Sequence, residues 1–131
     1  MKNLLLLTPF ILFIACETDP GSDCGGDLLC TEQLVTLGVT ITENDAAVLL
    51  DEATTTFVST GEVIRPHADI GWGDGFYIIM TDAQFDSIEQ SGTEVIFRGY
   101  INGDLIVEQT YTIGHDCCHV ELIDGPTEIM L

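Results

Sequence analysis

A period of two runs from Gln33 to the end of the chain and leaves little room for anything but strands. Val35, Leu37, Val39 and Ile41 alternate with Thr36, Gly38, Thr40 and Thr42, the pattern of a half-buried strand. Ala53 to Ser59 is rich in β-branched residues; Thr60-Gly61 turns it into Glu62 to Arg65, and Pro66 stops the run. Phe76 to Thr81 is apolar on both faces, as a central strand would be. Glu94 to Ile101 meets Asn102-Gly103 and then Asp104 to Ile113, and Asn-Gly between two alternating runs is a strong hairpin signal. His119 to Ile123 supplies another strand before Gly125-Pro126 breaks it, and Glu128 to Leu131 follows. Only Asp82 to Gln90 has helical spacing, through Phe85, Ile88 and Glu89, and it is short enough to be a turn. About seven strands, with turn signals every ten or so residues, predict an all-β chain folded as an antiparallel β-sandwich.

The first residues read as an address. Lys2 precedes Leu4-Leu5-Leu6-Leu7 and Phe10 to Ile14, and Ala15-Cys16 closes the run. A basic start, about ten apolar residues and a small residue at the cut describe a secretory signal; a membrane-spanning helix needs roughly 20. Pro9 inside the run and the polar Glu17-Thr18-Asp19-Pro20 after it argue against an uncleaved helix. Phe13-Ile14-Ala15-Cys16 is similar to a bacterial lipobox, with Phe13 where leucine is usual. Cys16 would then receive a diacylglyceryl group through its thiolate, and several acyl chains on one residue anchor firmly. Soluble secretion with Cys16 lost or free is the alternative. The expected division is a leader over residues 1–15, a lipidated Cys16 with an acidic tether to residue 30, and a sandwich over residues 31–131.

Charge narrows the partners. Cys16 to Leu131 holds all 22 acidic residues and only Arg65 and Arg98, a side-chain sum of −20 with no lysine. Phosphate recognition needs a basic face, so nucleic acid is excluded. The β-branched runs exclude disorder as the meaning of that acidity. Asp19, Asp23 and Asp27 in the tether fall at every fourth position, but the spacing is not that of a calcium loop and no Glu closes it. A solvated tether is the better reading.

Near the end stands Ile113-Gly114-His115-Asp116-Cys117-Cys118-His119-Val120-Glu121-Leu122. With Cys30-Thr31-Glu32 opening the strand region, this resembles small Bacteroidota lipoproteins whose domain is a carboxypeptidase regulatory-like, or transthyretin-like, β-sandwich. The resemblance covers Cys30 to Leu131 and is most specific over Asp116 to Val120. It implies a fold and an export route, and it transfers no catalytic residue.

Apart from Cys16 there are four cysteines, an even number suited to two disulfides in an oxidising envelope. Bonding Cys117 to Cys118 would need a strained vicinal ring, and neighbouring strand residues point to opposite faces. Two pairings remain, in which Cys24 and Cys30 each bond one of the pair. A zinc site competes for the same residues, since His115, Asp116, Cys117, Cys118 and His119 are all ligand types; tetrahedral sites usually draw spaced ligands from two segments, and Cys117 and Cys118 with Cys24 and Cys30 would assemble four thiolates. No metal and no cofactor is expected.

Catalysis has no marked constellation. No Gly-x-Ser-x-Gly occurs, the serines fall in tether or turns, and His67 near Asp69 reads as a solvated loop histidine after Pro66. His67, Asp69, Trp72 and Asp74 form the candidate ligand loop, with Trp72 the sole tryptophan among three glycines. Trp72 could stack on a sugar or a partner surface; the favoured reading is that it folds back over the core. The chain is therefore expected to be a non-catalytic, lipid-anchored accessory or binding module at a bacterial outer membrane, periplasmic or surface-facing. Its partners would be the membrane through the anchor and envelope proteins or glycans. The alternative is a small hydrolytic or metal-dependent enzyme acting on envelope or dietary glycans.

Overall fold

The computed structural model describes residues 24–25, 29–66 and 74–131. The expected leader, Cys16, and the loop residues His67, Asp69 and Trp72 lie outside the described residues. The chain is an all-β sandwich of two sheets, with nine strands among the described residues. In the first sheet, β1 (Thr36–Glu43) pairs with β2 (Ala46–Ala47), β5 (Phe76–Thr81) and β9 (Glu128–Met130). The second sheet runs β4 (Val63–Ile64), β3 (Glu52–Phe57), β6 (Thr93–Ile101), β7 (Asp104–His115) and β8 (Val120–Asp124).

The strand count exceeds the expected seven: β4 falls in the Glu62 to Arg65 run, but β2 is a two-residue piece that a sequence window cannot separate from a turn. Asn44 and Asp45 both have positive φ (49° and 63°), the left-handed pair that a tight hairpin between β1 and β2 requires. Asn102 and Gly103 do the same between β6 and β7, where the hairpin signal was read. One pairing departs from the antiparallel expectation: β9 runs parallel to β1, matching Thr40 with Glu128 and Thr42 with Met130.

Alternation builds the core. Val39 and Ile41 of β1, Val95 and Phe97 of β6, and Tyr111 and Ile113 of β7 point between the sheets and are buried. Two polar groups enter with partners. The Thr55 hydroxyl donates to the Ile79 carbonyl at 2.8 Å, tying one sheet to the other. Tyr77 donates its hydroxyl to the Val48 carbonyl (2.8 Å) and accepts the Leu50 amide (2.7 Å). The buried Tyr111 hydroxyl alone has no partner among the described residues.

The helical spacing after β5 yields a 3₁₀ helix, Asp82–Ser87. Thr81 caps it: its hydroxyl accepts the Ala83 amide at 3.2 Å, and its own amide donates to Gln84 Oε1 at 3.3 Å. This cap sets Asp82 at one end of the sandwich, beside the β7–β8 turn.

Candidate functional site

The β7–β8 turn gathers most of the chemistry in the described residues. Asp116 builds it, since its Oδ1 accepts the amides of Cys118 (3.0 Å) and His119 (2.8 Å) while its own amide donates to the His119 carbonyl (3.0 Å). These amides, Cys118 first, hold the Asp116 carboxyl below the ordinary carboxylate range. His115 Nδ1 accepts the Cys117 amide at 3.2 Å, and its ring lies against Phe85 with centroids 4.4 Å apart. Cys117 takes a positive φ of 82°. The two cysteines thus sit in a turn, not on the strand assumed from the sequence, yet the outcome for pairing is the same.

Cys24 bonds Cys117 and Cys30 bonds Cys118, with Cα separations of 5.5 and 5.3 Å. This selects one of the two pairings the sequence left open. It also consumes all four thiols, so a four-thiolate zinc site is ruled out, and no cluster suited to a metal ion occurs among the described residues.

Between the cross-links and the 3₁₀ helix lies a relay that the sequence did not reveal. Thr31 Oγ1 is 3.0 Å from His119 Nε2, and His119 Nδ1 is 2.8 Å from Asp82 Oδ2. A carboxylate only accepts, so Nδ1 donates to Asp82, and in a neutral ring Nε2 accepts the Thr31 hydroxyl. Asp82 is held in turn by two amides, Val35 to Oδ2 at 2.7 Å and Val120 to Oδ1 at 2.8 Å. Burial by itself pushes the Asp82 carboxyl up. The two amides and the His119 ring outweigh it and leave the carboxyl below its ordinary value.

Hydroxyl, imidazole and carboxylate in line are the geometry of nucleophile activation. An acyl-transfer site also needs free N–H groups aimed at a developing oxyanion. Here the nearby amides are already engaged: Cys117 with His115, Cys118 and His119 with Asp116, Val35 and Val120 with Asp82. What the arrangement does is clasp. Thr31 and Val35 on the incoming segment, Asp82 on the helix and His119 on the turn are locked together beside two disulfides.

Of the candidate ligand loop only Asp74 is described. Its Oδ1 accepts the Phe76 amide at 3.2 Å, a local turn that starts β5. No helix among the described residues is long and apolar enough to cross a membrane. No protein-family model, curated protein or solved structure matches the chain.

Proposed function

We propose that this protein is a lipid-anchored accessory or binding module of the bacterial outer membrane, attached through Cys16 and built on a transthyretin-like sandwich. The observation that carries the reading is the clasp. Disulfides bind Cys24 and Cys30, the first cysteines after Cys16, to one turn of the sandwich. Seven residues, Glu17 to Asp23, separate Cys16 from Cys24, a length of at most roughly 25 Å if extended. Cross-linking of this kind belongs to an oxidising compartment, in keeping with an exported chain. The direct test is Cys16→Ser, followed by detergent phase partitioning and mass analysis of the N-terminus. Loss of partitioning with an uncleaved leader is expected; a processed variant that still fractionates with membranes refutes the anchor.

A hydrolytic reading has one observation in its favour, the Thr31–His119–Asp82 relay. It is the weaker reading because the amides beside the relay are engaged. Turnover of activated acyl esters by the wild type, abolished by Thr31→Ala and by His119→Gln with the fold intact, would reverse the order of the two.

A further inference from the structure

Among the described residues, one side of β1 is only half covered. Ile41 donates to the Gly75 carbonyl at 2.8 Å, so its main chain faces β5, while Thr40 donates to the Thr127 carbonyl at 2.9 Å on the opposite side. Main-chain groups alternate along a strand, so Gly38 shares the side of Thr40. β9 pairs only with Thr40–Thr42 and goes no further, because Gly125 (φ 129°) and Pro126 lead the chain away to β8. The bulge between Leu37 and Gly38 concerns the β5 side. No described residue pairs with the Gly38 amide or carbonyl on its open side.

Beside this stretch is a cavity of about 430 Å³ lined by Leu37, Phe76, Ile79, Ile113 and Leu122, with Glu128 on its wall. A backbone donor and acceptor unused among the described residues, next to an apolar hole, is what strand addition requires. Main-chain hydrogen bonds give affinity, and one side chain in the hole gives specificity. A small apolar molecule would fill the hole and leave Gly38 unpaired; an extended peptide uses both. Charge chooses the peptide. The segment from Cys16 onward sums to −20, Glu128 stands on the cavity wall, and Glu121 and Asp124 are exposed on β8. An acidic partner is repelled and a basic one is steered in.

We propose that the slot beside Gly38 binds a short extended segment of a cationic partner protein, with one aliphatic side chain in the cavity and a Lys or Arg against Glu128. The proposal deepens the reading as a binding module and rests on that half of it, not on the anchor. The probe is a labelled peptide, Lys-Val-Thr-Val-Thr-Lys, titrated by anisotropy into the full chain in detergent. Saturable binding that weakens with salt is expected, together with slowed hydrogen exchange at the Gly38 amide. Glu128→Gln should weaken binding about threefold, as for an exposed ion pair. A peptide with proline at its central valine should lose at least about tenfold, since it cannot complete the ladder. No saturation up to millimolar protein, equal affinity for a Glu-flanked peptide, or binding that leaves Gly38 exchange unchanged overturns the proposal. None of these outcomes bears on the anchor, which the Cys16→Ser fractionation tests separately.

Discussion

Asp82→Ala should be among the costliest single changes outside the core. The carboxylate is only 14% exposed and receives the Val35 amide, the Val120 amide and the His119 ring at 2.7 to 2.8 Å. A hydrogen bond to a charged group contributes roughly 1.5–3 kcal/mol, and removing the acceptor also leaves its donors to be satisfied elsewhere. The three bonds share one residue and are not additive, and water can reach some of the freed donors at this end, so a total loss of about 4 kcal/mol is expected. The disulfides keep the incoming segment close, which should let the variant fold for measurement. Urea titration of the oxidised protein reads the loss directly: with a slope of about 1.5 kcal/mol per molar, the midpoint falls by roughly 2.5 M.

The same residue fixes a pH dependence. Its folded carboxyl titrates below the unfolded value of 3.8, so ionised Asp82 stabilises the native state. That contribution is complete above the unfolded value and disappears as pH falls through the folded one. The gap between wild type and Asp82→Ala should be constant from neutrality to about pH 5 and narrow below about pH 4. A loss under about 1 kcal/mol at pH 7, or a gap that persists undiminished to pH 2, refutes the assignment of the clasp to this carboxylate.

Tyr111→Phe removes a buried hydroxyl that has no partner, so thermal stability should be unchanged or raised; a loss above about 1 kcal/mol by urea titration would mean the hydroxyl is satisfied after all. Gly125→Ala forces a φ of 129° on an L residue and sets a Cβ 2.2 Å from the Tyr111 ring, so a loss of at least about 3 kcal/mol is expected by the same titration. With a side-chain sum of −20 from Cys16 onward, sodium chloride and, more strongly, magnesium should raise the melting temperature, and a flat response in calorimetry would show that the acids are too dispersed for repulsion to matter.

Strands were legible where local chemistry alone decides them. β5 begins and ends where its apolar run does, and the Asn102-Gly103 hairpin closes as its dipeptide requires. The Asn44-Asp45 turn carried a similar signal, but the two-alanine strand beyond it gave no alternation to confirm it. β9 could not be assigned to β1 because parallel pairing between residues nearly ninety apart leaves no mark in either segment. The cysteine pairing was narrowed by geometry to two choices, and only the turn at Cys117 and Cys118 selects between them. The relay was illegible for a different reason. Thr31 and His119 are 88 residues apart and Asp82 and His119 are 37 apart, and nothing local distinguishes Asp82 from any other acid opening a short helix.

Clasp and slot lie toward the same end of the sandwich. Thr36 pairs with Thr81, next to Asp82, so the stretch from Thr36 to Gly38 begins at the clasped end of the sandwich. Gly38 is three residues from the clasped Val35, roughly 10 Å along the strand. Asp74, at the far end of β5 from Thr81, opens that strand roughly 20 Å away along its length. On the anchor proposed at Cys16, seven residues before Cys24, the clasped end would be the end nearest the headgroups. On that proposal the slot would stand within roughly 35 Å of the lipid. A cationic segment reaching it there would be presented by a membrane protein or another anchored chain.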